Sequence, residues 1–199
     1  MFLTERTGIP DAVLPVADMR AHLRLGSGFE DDGVQDALVL GYLRAAMAAI
    51  EGRTGKALIA RNFVWKIAAW RDASGQALPV APVLSLGALR ILDRADVASV
   101  VPAGRYRLEV DAHRPRLCPA SGVLPTIPAG GRAEVEFEAG FGRAWGDVPA
   151  DLRQAVMLLA AHFHEFRHEA GVEEGALPFG VGALIERWRN VRVLGGGGR

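Results

Sequence analysis

The stretch that decides the fold is Val148-Pro149-Ala150-Asp151-Leu152-Arg153-Gln154-Ala155-Val156-Met157-Leu158-Leu159-Ala160-Ala161-His162-Phe163-His164-Glu165-Phe166-Arg167-His168. Leu152, Val156, Leu159, Phe163 and Phe166 recur at helical spacing, so the stretch predicts a long amphipathic helix. Its start at Asp147-Val148-Pro149 is marked by an early proline, placed where a missing N–H costs nothing. The same stretch contains His164-Glu165-Phe166-Arg167-His168, a literal H-E-x-x-H. It therefore supports two incompatible readings, a zinc hydrolase or a helix whose role is packing and contact.

Working outward, the chain continues through Leu177-Pro178-Phe179-Gly180, a turn, into a final helix predicted over Val181 to Val191. The tail, residues 194–199, is glycine-rich and predicted to be flexible. Towards the N-terminus lies a β-rich middle. Asn62 to Ala68 reads as a strand, and Leu78-Pro79-Val80-Ala81-Pro82-Val83 as a proline-marked turn into a second, Ala88 to Asp93. Tyr106 to Val110 and Ala133 to Phe137 alternate with period two. Pro115 to Gly131, with four prolines and three glycines, reads as a long exposed loop.

The first third is helical again. A short helix is predicted from Pro15-Val16-Ala17-Asp18 to Leu25, with Val16, Met19 and Leu23 as its stripe. Gly26-Ser27-Gly28 breaks it. A longer helix then runs from about Gly33 to Arg53, with Val34, Leu38, Tyr42, Ala45 and Ala49 beside Leu43, Met47 and Ile50. The acidic Glu30-Asp31-Asp32 suits the positive end of its dipole, and Thr54-Gly55 its stop. The pattern gives an α+β fold with helical N- and C-terminal regions packed together around a β-rich middle insertion. Residues 1–60 form the first helical part, 61–146 the insertion, 147–193 the C-terminal helices and 194–199 the tail.

Composition narrows the function. At 199 residues the chain can bury one substantial core. With 23 basic and 23 acidic residues the net charge is zero, against the clustered Lys and Arg that a nucleic-acid coat protein needs. Lysine occurs only at Lys56 and Lys66, a bias typical of GC-rich bacterial or phage genomes. No apolar run reaches the roughly 20 residues that span a bilayer. The opening residues lack a basic region followed by an apolar one, which predicts no signal peptide. The single cysteine, Cys118, excludes an internal disulfide, and it has no basic activator nearby in sequence.

In a zinc hydrolase, His164 and His168 would hold the metal and Glu165 would polarise its water. Gly171 and Glu174 stand where longer zinc motifs place a glycine and a third ligand. That third ligand is usually histidine, however, and Met157 is the last methionine, so the methionine turn of such enzymes is missing. With Phe163 inward, His164 and His168 fall about 100° and 140° round the helix from it, off the buried face. G-x-S-x-G, a P-loop and G-x-G-x-x-G are also absent from the sequence.

The chain resembles the head–tail connector (adaptor) proteins of long-tailed bacteriophages, including those of phage-derived gene transfer agents. Asp18-Met19-Arg20-Ala21-His22-Leu23-Arg24 is similar to that family's opening A-K-x-H-L-R helix. Ala45 to Ile59, with Ile50-Glu51-Gly52-Arg53-Thr54-Gly55-Lys56-Ala57-Leu58, resembles its A-A-x-x-x-I-E-x-x-T-G-R-A-L block. Leu78 to Val83 resembles its proline-marked strand, and Ala139-Gly140-Phe141-Gly142 with Val148-Pro149 its A-G-Y-G … V-P turn. Leu177 to Val181 is similar to the start of its last helix. His162 to Arg167 matches an H-W-Y-E-x-R segment, in which Glu165 and Arg167 are the shared residues and His164 replaces tyrosine.

The resemblance implies a non-enzymatic ring subunit without cofactor or metal. It would join the portal to the tail of a particle and extend the DNA channel, so the residues expected to matter are contacts. Its expected partners are itself in a twelve-fold ring, the portal protein, a tail-side stopper or terminator protein, and DNA passing through the lumen without sequence specificity. A membrane is not among them, and the expected place is the particle neck, assembled in the bacterial cytoplasm. A stopper or tail-completion protein of the same neck region is the neighbouring reading. Leu184, Ile185, Trp188, Arg189 and Arg192 are expected to dock the portal or another partner, Arg187 lying among them. Glu165 and Arg167 are expected at the subunit interface. Packing of Leu184 and Trp188 on the helix that carries Phe163 is the alternative for that patch.

Overall fold

The computed structural model describes residues 2–25, 32–166 and 177–189. The elements in chain order are β1 (Phe2–Glu5), α1 (Val16–His22), α2 (Asp32–Thr54), β2 (Arg61–Ile67), β3 (Gln76–Ala77), β4 (Val83–Leu92), β5 (Ala98–Val101), β6 (Tyr106–Glu109), β7 (Arg116–Pro119), β8 (Arg132–Ala139), α3 (Ala150–Glu165) and α4 (Phe179–Ile185). They fall into two compact units. One combines Met1–Leu14 with Lys56–Pro149, and the other combines Pro15–Gly55 with the chain from Ala150 onward. The α+β class is as the sequence predicts, but the boundaries are drawn differently. The first residues, expected in the helical part, pair as β1 with β2 and so belong to the β unit.

In the β unit, five strands form an antiparallel sheet in the order β1-β2-β8-β4-β5, and β3-β7-β6 form a second, smaller one. Strand β8 alternates strictly: Ala133, Val135, Phe137 and Ala139 are buried, while Glu134, Glu136 and Glu138 face the other side. Phe63 and Trp65 of β2 and Leu89 and Ile91 of β4 join the buried face. The Phe63 and Phe137 rings stack with centroids 5.5 Å apart. Each such side chain stabilises the fold by about 1.5–3 kcal/mol through burial.

The opposite face is held by ion pairs. Lys66 and Arg132 each approach Glu134 at 3.1 Å, Arg90 meets Glu136 at 2.6 Å, and Arg143 meets Glu138 at 2.9 Å. Burial opposes ionisation of Glu134, but the hydrogen bonds from Lys66 and Arg132 outweigh it and hold the carboxyl below its ordinary value. Strand β4 begins earlier than the sequence predicts, because irregular pairing with β8 near Leu86–Leu89 interrupts its alternation. Tyr106 spans this irregularity: its hydroxyl donates to the carbonyl of Gly87 at 2.8 Å and accepts from the N–H of Leu89 at 3.3 Å.

The expected exposed loop Pro115–Gly131 is corrected by the structure. It contains β7, and Leu117, Cys118 and Leu124 are buried. The prolines deny no needed donor, since Pro115 and Pro119 lie just before β7 and at its end. Trp70 Nε1 donates to the carbonyl of Pro125 at 2.7 Å, and the N–H of Leu124 to that of Ala73 at 2.8 Å, which fastens the segment down.

In the α unit, α2 packs on α3, α3 on α4, and α1 on both α2 and α3. The inward face of α2 carries Val39, Leu43, Ala46, Met47 and Ile50, all buried. Leu38 and Ala45, assigned to the apolar stripe from spacing, are exposed. The helix is apolar nearly all round, so periodicity alone could not choose between adjacent faces. Thr54 Oγ1 donates to the carbonyl of Ile50 at 2.8 Å, and Gly55 follows with φ 66°, the left-handed stop that glycine permits. In α3 the inward face is Leu152, Ala155, Val156, Leu159 and Ala160; Phe163 is half-buried and Phe166 exposed, so the stripe frays at its C-terminal end. The final helix is shorter than predicted, ending at Ile185 in a 3-10 turn, Glu186–Trp188.

Two positions in the β unit give direct tests. Gly140 has φ 144°, and a Cβ there would overlap the backbone of Ile59 and Ala60. Gly140→Ala is expected to cost about 3 kcal/mol or more in urea unfolding. Lys56 is 1% exposed, with Nζ donating to the carbonyl of Ala112 at 2.8 Å. Burial lowers its pKa from 10.5 to about 8, with the Asp111 carboxylate opposing the shift. Between those two values the unfolded chain binds the proton that the folded chain has released, so Lys56 makes stability rise with pH there; below about 8 its burial penalty is fully present. Unfolding followed from pH 7.5 to 10 should show a rise that is smaller in Lys56→Met.

Candidate docking surface

The expected docking residues lie where α4 returns along α3. Pro178 precedes α4 with extended backbone, and Val181 and Ile185 point inward, 0% and 1% exposed. Ile185 is therefore a core residue and not a docking contact: four residues after Val181, it falls on the same buried face. Leu184 is half-buried, and Arg189 is exposed with Nη1 at 3.0 Å from Glu186.

Trp188 belongs to a staple. Its Nε1 donates to Asp151 Oδ2 at 2.7 Å, and Arg187 Nε reaches the same oxygen at 2.7 Å. The Arg187 guanidinium also lies over the indole, 4.7 Å from the ring centroid. Asp151 stands in the first turn of α3, where the helix dipole favours a carboxylate. Trp188 is half-buried through this contact. Its partner is thus α3, the helix that also carries Phe163, met at its first turn, and the Trp–Arg pair finds that partner within the chain.

The residue that sequence reasoning missed is Phe179, 93% exposed at the first position of α4. The signal was present in Pro178-Phe179-Gly180: an aromatic at a helix start, flanked by a residue too small to cover it. Phe166 is also exposed, and Glu165 is exposed at the end of α3. Arg167, His168 and Arg192 lie outside the described residues. His164 is half-buried, its ring set edge-on to Tyr42 of α2 with centroids 5.8 Å apart. It is thus closer to the packed surface than helical spacing predicts, because α2 supplies an aromatic neighbour.

Among the described residues, no cluster of three His, Cys, Asp or Glu side chains is placed to hold a metal ion. Cys118 lies in the β unit, where burial and a contact from Sγ to Glu109 raise its pKa. No described helix is long and apolar enough to cross a membrane. What this surface offers is an apolar and cationic contact area.

No protein-family model matches the chain, and no curated protein matches it. Solved structures do. A chain from the neck of an empty GTA particle, computed with C6 symmetry, shares 56% identity at a TM-score of 0.89, with 98% of this chain and 99% of that one covered. The chain belongs to the neck proteins of gene transfer agent (GTA) particles. A chain from the virion of a native GTA particle is 56% identical with a TM-score of 0.86 over the same shares. A third, in a native GTA neck computed with C12 symmetry, is 52% identical with a TM-score of 0.84, again over 98% and 99%. The resemblance drawn from short sequence blocks thus extends over almost the whole chain, and the structural neck role is the one it carries. Nothing in these relatives supports the zinc-hydrolase reading of a neck protein.

The Asp151 staple makes a prediction. Asp151→Ala removes the acceptor of both Trp188 and Arg187, and should cost about 1–3 kcal/mol. Loosened Trp188 should also shift the emission of the protein to longer wavelength and speed proteolysis after Ile185, relative to an exposed control such as Gln154→Ala.

Proposed function

We propose that the chain is a ring subunit, present in twelve copies, that joins the portal of the particle to its tail and continues the DNA channel. The observation that carries this reading is identity of 52–56% with neck chains along nearly their full length, one neck having been computed with C12 symmetry. The role is assembly without catalysis. The partners are further copies of the chain, the portal protein on one side, and a tail-side stopper or terminator protein on the other. DNA passes through without sequence recognition, in keeping with the zero net charge of the chain. Assembly takes place in the bacterial cytoplasm.

Portal docking is assigned to the α4 surface: Phe179 as the aromatic anchor, with Leu184, Arg189 and the exposed edge of Trp188 around it. Glu165 is assigned to contact between copies. Phe179 suits the anchor role because it is almost fully exposed and its side chain has nothing of its own fold to lose on moving into a partner's pocket.

Electron microscopy of the purified full-length chain, with and without purified portal protein, tests the reading. Twelve-fold rings seated on portal are the expected result; the absence of rings in both samples would overturn it. Phe179→Asp should weaken portal binding at least tenfold while leaving the melting temperature unchanged, and unaltered binding would remove Phe179 from the interface.

A further inference from the structure

A closed ring of more than two copies needs two different surfaces on each subunit, each fitting the other. The β unit carries such a pair on opposite sides of one sheet. Strands β1 and β5 are its two edges, and unpaired edge strands are templates for further pairing. Edges are commonly blunted by lysine, proline or a bulge. Both strands are short, four residues each, but Ala98-Ser99-Val100-Val101 has no lysine, proline or bulge, and in Phe2-Leu3-Thr4-Glu5 the one charge, Glu5, is paired with Arg61 of its own sheet.

The register of the sheet sharpens this. Phe2 pairs with Lys66, Lys66 with Glu134, Glu134 with Arg90, and Arg90 with Val100, so these five residues form one row across the sheet. The middle of the row is charged, while its two ends, Phe2 and Val100, are apolar and 64% and 66% exposed. An isolated sheet would place its polar residues at the wettest positions, and this row does the reverse. The next row, on the other face, runs Leu3, Trp65, Val135, Leu89 and Val101. It is apolar throughout, and Leu3 and Val101 at its ends are only partly covered.

Direction gives a further constraint. With every pairing antiparallel across five strands, β1 and β5 have the same sense within the sheet. A twelve-fold rotation turns each copy by about 30°, so an edge-to-edge joint between neighbours must be parallel. Parallel pairs are slightly weaker and need cover on both faces. The row ends provide it, with Val100 beside Phe2 on one face and Val101 beside Leu3 on the other.

We infer that β5 of each copy pairs with β1 of the next, making the five-stranded sheet a continuous belt round the ring. This rests on the ring reading above, and the test separates the two. Full-length chain is examined by electron microscopy, alone and with portal protein, as wild type, as Val100→Lys and as Val110→Lys, an exposed position off both edges. Val100→Lys should lower the fraction of copies in rings about tenfold with an unchanged melting temperature, and Val110→Lys should not. In a second arm, Phe2→Cys combined with Val100→Cys is oxidised and run on a non-reducing denaturing gel. A ladder reaching the full ring is expected from the double variant, and none from either single variant. Rings that persist in Val100→Lys, or rings that yield no ladder, would overturn the edge joint while leaving the ring standing. If wild type forms no ring in either sample, both readings fall.

Discussion

Strand β8 meets two different environments along eight residues, and the β unit is organised by that difference. On one side Ala133, Val135, Phe137 and Ala139 need apolar neighbours, which β2 and β4 supply. On the other side three glutamates would repel one another along a single strand. They are tolerated because Lys66, Arg90, Arg132 and Arg143 arrive from β2, β4, the start of β8 and the turn after it. A shift of one residue in the register of β8 would exchange the two faces and bury the carboxylates. The charged face therefore specifies the pairing at least as firmly as the apolar one. No single one of these ion pairs need contribute much alone for this to hold.

The α unit solves a different problem. Its helices are rich in alanine and leucine on several sides, so their packing has few features to set orientation. Asp151 supplies one, since a single carboxylate oxygen takes both the indole N–H of Trp188 and the guanidinium of Arg187. The end of the α4 segment is thereby fixed against the start of α3. With Val181 and Ile185 committed to the core, Phe179 and Arg189 are left facing outward. Side chains held in this way are prearranged, so a partner binding there would face little further cost of ordering them.

Strong periodicity was legible in the sequence: α2, α3 and the alternating strands β6 and β8 fall close to their predicted positions. The short strands β1, β3 and β5 were not, because two to four residues carry too little pattern and depend on their neighbours for pairing. Pro115–Gly131 misled because proline content reports missing donors, not exposure, and Leu117 and Leu124 carried the decisive burial. At the candidate docking surface, spacing picked out Leu184, Ile185 and Trp188 together. It could not show that Ile185 turns inward or that Asp151, 37 residues earlier, claims Trp188. The histidine motif was the most conspicuous local pattern and the least informative, since its first histidine packs against Tyr42.

Cys118 is the one thiol in the chain, and it is buried with its ionised form disfavoured. A twelve-fold assembly multiplies every surface group twelve times, so a reactive thiol would place a dozen oxidisable sites around one neck. Withdrawn from solvent, the Cys118 sulfur offers no such site. No thiol of the subunit is then exposed to register whether its surroundings are reducing or oxidising.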